Sequence, residues 1–401
     1  MVSVAALILF SPAPLLQAAE TVDLAIVAGK VLTMNEAGDI HAPGMILIDQ
    51  GQIVYVGPVK DLSEGTDLVE RPECWAVPGL VDLHTHIHSG GFGDINDMVQ
   101  AVNPELRSRP ALDPGNPAIA RGCAGGVTTL FGIPGSGTNM GGFGIVYKSK
   151  LGSPHFEDVI VRDPGGLKVA QDSNPQRRNE TDFGVSRAGM SWNLADVNDR
   201  AVAARDQERF DPALDMLVDV HRRELPVLIH TASSEGVLNT ARMWRETYPT
   251  QSTVSHGSFD GWKTAEAVAR YGMPVNHGPR TVDYFSSLEG RIVGTAAEFV
   301  EAGVPDFSLN TDSSVVPQEE FFLQGTMSAR HGGDAYTMLE AMTRNPAKVF
   351  MLDHRVGSLE VGKDADVVLL TGDPLDPREA VETVLIDGKI EYDRGRDGQW
   401  F

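Results

Sequence analysis

The segment VPGLVDLHTHIH, residues 77–88, decides how this chain is read. It is an apolar run bounded by Pro78-Gly79 and Ser89-Gly90-Gly91, and it carries His84, His86 and His88 at alternate positions. Side chains two apart on a strand share a face. His84 and His86 are therefore expected to point together into the interior, with His88 at the rim facing solvent. Titratable rings gathered in an apolar strand are costly without a partner. A divalent metal is a usual partner, because neutral imidazole is a good ligand. Taken alone, HxH also fits two satisfied core histidines.

Working outward, two kinds of texture alternate. AIVAGKVLTM, GMILIDQGQIVYVG and ECWAVPG before the segment read as strands between Gly and Asp turns, and the same texture returns in GKDADVVLLTG and VETVLIDGKIEYD near the end. The middle carries eight apolar strand candidates at 81–88, 126–134, 144–150, 166–171, 226–231, 252–257, 273–278 and 306–313. Helix-like runs such as DPALDMLVDVHRREL and WKTAEAVARYG separate the later ones. The expected fold is α/β, a (β/α)8 TIM barrel with a small β-sandwich built from both chain ends. The expected division is 20–77 plus 355–401 for the β-domain and 78–354 for the barrel. Segments 89–120 and 172–200 read as loops following strand ends, where barrel enzymes carry their substrate loops.

The downstream strand ends repeat the histidine theme. His230 ends PVLIH, His256 ends STVSH, His277 follows MPVN and Asp312 ends DFSLNTD. In a barrel these ends converge on one mouth. Imidazoles and a carboxylate meeting there form a donor set suited to Zn²⁺, with Fe²⁺, Mn²⁺ and Co²⁺ also compatible.

These residues resemble the metal-dependent amidohydrolase superfamily. The resemblance spans PGLVDLHTHIH, the GVTT strand, the LIH, SHG and NTD strand ends, and the closing RNPAKVFMLDHRVGSLEVGKDADVVLLTGDPL. GSGTNMGGFGIVYK and LKVAQDSNPQRR look closest to its imidazolonepropionase-like branch. The resemblance implies His84, His86, His230, His256 and Asp312 as ligands to one or two divalent ions. Asp312 would also shuttle the proton, and His256 would share in catalysis. Lys168 stands where two-metal members keep a bridging carboxylated lysine. Asp172-Ser173-Asn174 replaces the Gly-Glu-Asn usual in the similar branch, so a bridging glutamate is absent. His277 is expected to touch substrate, and Arg280 to pair with a substrate carboxylate. The glycines of GSGTNMGGFG are expected to let backbone approach substrate.

The implied activity is hydrolysis of a C–N bond in an amide, cyclic amide or small peptide-like substrate. A mononuclear deaminase or imidazolonepropionase-type ring opener uses the same ligands without Lys168. A non-catalytic binding protein on this frame is the reading from another class, and such descendants normally lose ligands that this chain keeps. A serine hydrolase is not supported, since there is no G-x-S-x-G elbow.

The 401 residues carry 33 basic and 55 acidic side chains, a net charge of −22. That balance argues against nucleic acid as a partner and for a small-molecule substrate. No segment is long and apolar enough for a membrane span. Barrels of this type often associate into homo-oligomers. Residues 1–19, with an apolar stretch ending in small residues, resemble a signal peptide lacking its basic n-region, so an exported, periplasmic protein is expected. Cys74 and Cys123 form no CxxC and read as two free thiols, with a single bridge as the alternative.

Overall fold

The computed structural model describes residues 22–91, 95–153, 155–177, 186–283 and 290–400. The expected leader at 1–19 lies outside them.

The first strands are β1 (Leu24–Leu32), β2 (Ile40–His41), β3 (Gly44–Asp49), β4 (Gln52–Pro58) and β5 (Asp67–Pro78). Near the C-terminus come β16 (Val367–Leu370), β17 (Val381–Ile386) and β18 (Lys389–Asp393). They pair into one sheet in the order β18-β17-β16-β5-β1-β3-β4, with β2 on β1. The seam between the chain ends is the antiparallel pair β16–β5, in which Val367 faces Pro78 and Leu370 faces Trp75. Ile26, Ile46 and Ile53 share a core with Val367, Leu369 and Leu385. The intervening Val368 and Leu370 join the large core of the other layer. One strand with period 2 thus serves two cores.

The second sheet is the barrel. Its strands are β6 (Leu80–Thr85), β7 (Val127–Gly132), β8 (Met140–Lys148), β9 (Ile160–Ala170), β10 (Val227–Thr231), β11 (Ser252–His256), β12 (Val275–His277) and β15 (Ser308–Leu309). They run in the order β15-β12-β11-β10-β9-β8-β7-β6. The ring closes where Thr85 bridges Ser313 and the His86 amide donates to the Ser313 carbonyl at 2.7 Å. These are the eight strands expected from sequence, with one difference in direction. β8 is antiparallel to both β7 and β9. The reason is length. Residues 133–139 are too few for the crossover of a dozen or more that a parallel return needs, so the chain turns back as a meander.

The parallel pairs have helical crossovers, including α1 (Pro117–Ala124) before β7, then α2 (Arg187–Asp206) and α3 (Asp215–His221) before β10. The expected loop at 172–200 is therefore helical from Arg187 onward. Ser186 starts that helix by accepting a hydrogen bond from the Gly189 amide. Cys74 and Cys123 are free and buried. Among the described residues, no helix is long and apolar enough to cross a membrane.

The glycines of 135–144 serve protein packing. A Cβ on Gly142 (φ +100°) would stand 2.6 Å from the Leu106 carbonyl oxygen, and one on Gly144 would stand 2.5 Å from that of Gly132. They admit backbone against backbone, so the expectation that they open room for substrate is corrected.

Candidate metal centre and active site

On β6 the alternation separates two environments. Val81 and Leu83 pack with Val349 and Phe350. Asp82 and His84 lie on the opposite face, fully buried. Parallel strands bring their C-terminal ends to one mouth. There stand His84 from β6 and His86 just beyond it, His230 near the end of β10, His256 at the last residue of β11, and Asp312 just beyond β15.

The rings converge. His84 Nε2 lies 3.2 Å and His86 Nε2 3.4 Å from Asp312 Oδ1. The His84 and His256 rings are 4.4 Å apart, and those of His230 and His256 are 4.5 Å apart. One donor atom each from His84, His86 and Asp312 falls within a 4.8 Å cluster.

The opposite ring nitrogens are held by protein. His84 Nδ1 is 2.6 Å from Ser255 Oγ, His86 Nδ1 3.0 Å from the Ile133 carbonyl, and His256 Nδ1 2.7 Å from the Gly278 carbonyl. A carbonyl accepts, so Nδ1 of His86 and His256 carries the proton. Their Nε2 is then a lone pair facing the mouth, the arrangement of metal-binding histidines. His256 Nε2 is buried with no hydrogen-bond partner, an orphan that a cation would satisfy. Burial drives His84 and His256 below the usual imidazole range. Both are thus kept in the neutral form a ligand requires.

Asp312 has φ +49° and His256 φ +77°, left-handed values uncommon outside glycine. Such strain is typical where side chains must be aimed. Burial pulls the Asp312 carboxyl upward. The neighbouring His86, His256 and Lys168 outweigh it and hold Asp312 below the usual carboxylate range.

Lys168, on β9, is fully buried. Its Nζ donates to Ser136 Oγ at 2.9 Å and to the Pro134 carbonyl at 3.2 Å. Burial pushes it down to about 7, with Asp312 pulling it partway back.

Two expectations are corrected. His88 is not a solvated rim residue but is fully buried, and burial pushes its pKa down to about 3. The chain leaves β6 after Thr85 and turns inward at His88, where the Asp113 amide donates to the His88 carbonyl. His277 does not reach the mouth. Its Nδ1 sits 2.6 Å from the His256 carbonyl and its Nε2 2.7 Å from Thr295 Oγ1, against Phe299. It braces the β11 end from behind instead of touching substrate.

Sequence reasoning missed Asp82. Its Oδ1 accepts from the His84 amide at 2.9 Å, and its Oδ2 accepts from Thr311 Oγ1 and Gln318 Nε2, both at 2.6 Å. It ties β6 to the segment bearing Asp312. Burial pushes it up to about 6 against those hydrogen bonds. The same alternation that flagged His84 and His86 also places Asp82 on that face.

A cavity of about 700 Å³ opens over the centre. His230, His256 and Asp312 line its floor, and Arg280, Phe259 and Asp283 are among its other lining residues. Its size suits a small molecule.

Residues 200–391 match the model of the amidohydrolase family. The chain is 23% identical over 392 residues to Amidohydrolase tasK of Hapsidospora irregularis, covering 87% of this chain but only 40% of that protein. It is 22% identical to a 5-methylthioadenosine/S-adenosylhomocysteine deaminase of Bacillus cereus, covering 85% of this chain and 83% of the relative. A crystal structure of an amidohydrolase from Thermotoga maritima superposes with a TM-score of 0.83 at 28% identity, covering 93% of this chain and 100% of that one.

Proposed function

We propose that this chain, which belongs to the amidohydrolase superfamily, hydrolyses a C–N bond of a small, non-protein substrate at the mouth of its barrel. The observation that carries the reading is the convergence of His84 and His86 Nε2 on Asp312 Oδ1, beside the orphaned Nε2 of His256. Four imidazoles and a carboxylate fit a divalent cation, with Zn²⁺ the best match to that donor set. His84, His86, His230, His256 and Asp312 would hold it. When bound, it supplies Lewis-acid polarisation of the scissile carbonyl or amidine and a water that ionises near neutral pH.

The chain's own residues do the rest. Asp312, kept ionised, takes the proton of the attacking water and returns one to the leaving nitrogen. Ser255 and the Gly278 carbonyl hold the His84 and His256 rings in place while charge develops. Arg280 meets a substrate carboxylate.

A mononuclear deaminase is the second reading. It is favoured by the deaminase relative and by Ser173 in place of a bridging glutamate. Elemental analysis of the purified chain separates the two when paired with Lys168→Ala. Two ions falling to one or none support a lysine-bridged pair, and one ion unchanged supports the deaminase reading. Asp312→Asn should lower turnover of any amide or amino-purine substrate by at least about a hundredfold. Full metal-dependent activity in that variant would overturn the proposal.

A further inference from the structure

We propose that Phe259 is a specificity-determining residue that offers its ring to a flat, unsaturated group on a substrate whose carboxylate meets Arg280. The inference rests on the reading of the site as a C–N hydrolase and names its substrate class: an N-aroyl amino acid or a similar planar amide acid.

Phe259 lines the cavity yet is 54% exposed. Its backbone has φ +56°, a region that bulky side chains rarely enter. Core packing does not hold it there, because the ring belongs to none of the buried clusters. Glycine or asparagine would occupy this backbone with less strain. A strained backbone that presents a large aromatic to a cavity, unsupported by burial, is a device for contacting something else.

The ring is also well positioned. Phe259 lies three residues after His256 and opens the short turn Phe259–Thr264. Ser258 Oγ donates to the Gly278 carbonyl at 3.2 Å, and Trp262 Nε1 donates to Asp283 Oδ2 at 3.0 Å. The two tethers fasten this turn to the segment 278–283 that carries Arg280. Arg280 lines the same cavity and is exposed, and no ion pair of it is found among the described residues. In a chain of net charge −22, an exposed cation at the mouth selects for an anion. A ring face and a guanidinium on two tethered segments, above a floor of His230, His256 and Asp312, match an amide with a planar group and a carboxylate.

The test uses the full chain as purified with its metal, and two probes, N-benzoylglycine and N-acetylglycine. Ligand-observed NMR titration gives each Kd, and chromatography follows any hydrolysis separately. Wild type should bind the benzoyl probe about tenfold more tightly than the acetyl probe. Phe259→Ala should collapse that preference to within about twofold, Phe259→Trp should keep it, and Arg280→Ala should weaken both probes together. Phe259→Gly, which relieves the positive φ, shows by its melting temperature that the fold tolerates losing the ring. A preference surviving in Phe259→Ala, or no binding of either probe by wild type, would overturn the inference. Ring-dependent binding without hydrolysis of any C–N substrate would retire the hydrolase reading and keep Phe259. Hydrolysis indifferent to the ring would do the reverse.

Discussion

Lys148→Met should cost this protein more than any surface charge substitution. Lys148 is 2% exposed on β8, and its Nζ donates to Asp364 Oδ2 at 2.7 Å, to Asp366 Oδ1 at 2.9 Å and to Asp387 Oδ1. Lys150 pairs with Asp387 at 2.6 Å, and Arg355 with Asp364 at 2.7 Å. Three cations thus meet three carboxylates between the barrel and the sheet of the chain ends. Burial alone would discharge Lys148, but the three aspartates outweigh it and hold it charged, above the usual lysine range. Removing the central cation leaves carboxylates facing one another with little water. Breaking such a buried pair costs about 3–5 kcal/mol, against about 0–1 for an exposed one. At roughly 2.1 cal/mol/K per residue, a chain of 401 residues has an unfolding entropy near 0.8 kcal/mol/K, so the melting point should fall by about 4–6 °C. Circular dichroism melts at matched scan rates measure this, with Lys150→Met as the control. Lys150 is 25% exposed along its side chain and pairs with only the outer one of the three carboxylates, its other contact being the exposed Asp158 carbonyl, so about 1 °C is expected. A Lys148→Met protein melting within 1 °C of wild type, or a control equally damaged, would refute the argument that burial makes this cluster matter.

Two further outcomes follow from the structure. A Cβ on Gly278 (φ +149°) would stand 2.2 Å from the Asn310 carbonyl oxygen. Gly278→Ala must therefore displace the carbonyl that holds His256 Nδ1. Metal affinity should drop by about 10–100-fold, read by titration against a competing chelator; unchanged affinity would remove that carbonyl from the metal's support. His221 is buried, its Nε2 is 2.8 Å from Asn198 Oδ1, and burial first, then Arg205, push its pKa down to about 4. A depressed imidazole contributes stability above its unfolded value near 6.5, and that stability is lost as pH falls toward 4. Between pH 7 and 5 the wild type should lose about 2 kcal/mol more than His221→Gln, which cannot titrate; parallel melting curves would contradict this.

Much of the barrel was legible because its signals are local. Apolar runs bounded by Gly and Pro located all eight barrel strands, and period 2 put His84 and His86 on one face. The repeat of His230, His256 and Asp312 at strand ends pointed to one mouth before any contact was known. What escaped was set by contacts distant in sequence. The direction of β8 follows from the short 133–139 link and from pairing on both sides, and an apolar run reads the same either way. His88 and His277 look alike as letters beside the metal-centre histidines. The turn after Thr85 buries one, and the His256 carbonyl with Thr295 engages the other. Lys148 meets Asp364 across 216 positions, and no periodicity spans such a gap. The sequence by itself determined which residues form strands and which strand faces carry the metal-binding chemistry, because alternation depends on near neighbours alone. Only the tertiary structure decided which polar groups found partners, because burial and hydrogen bonding depend on what the closed barrel places opposite them.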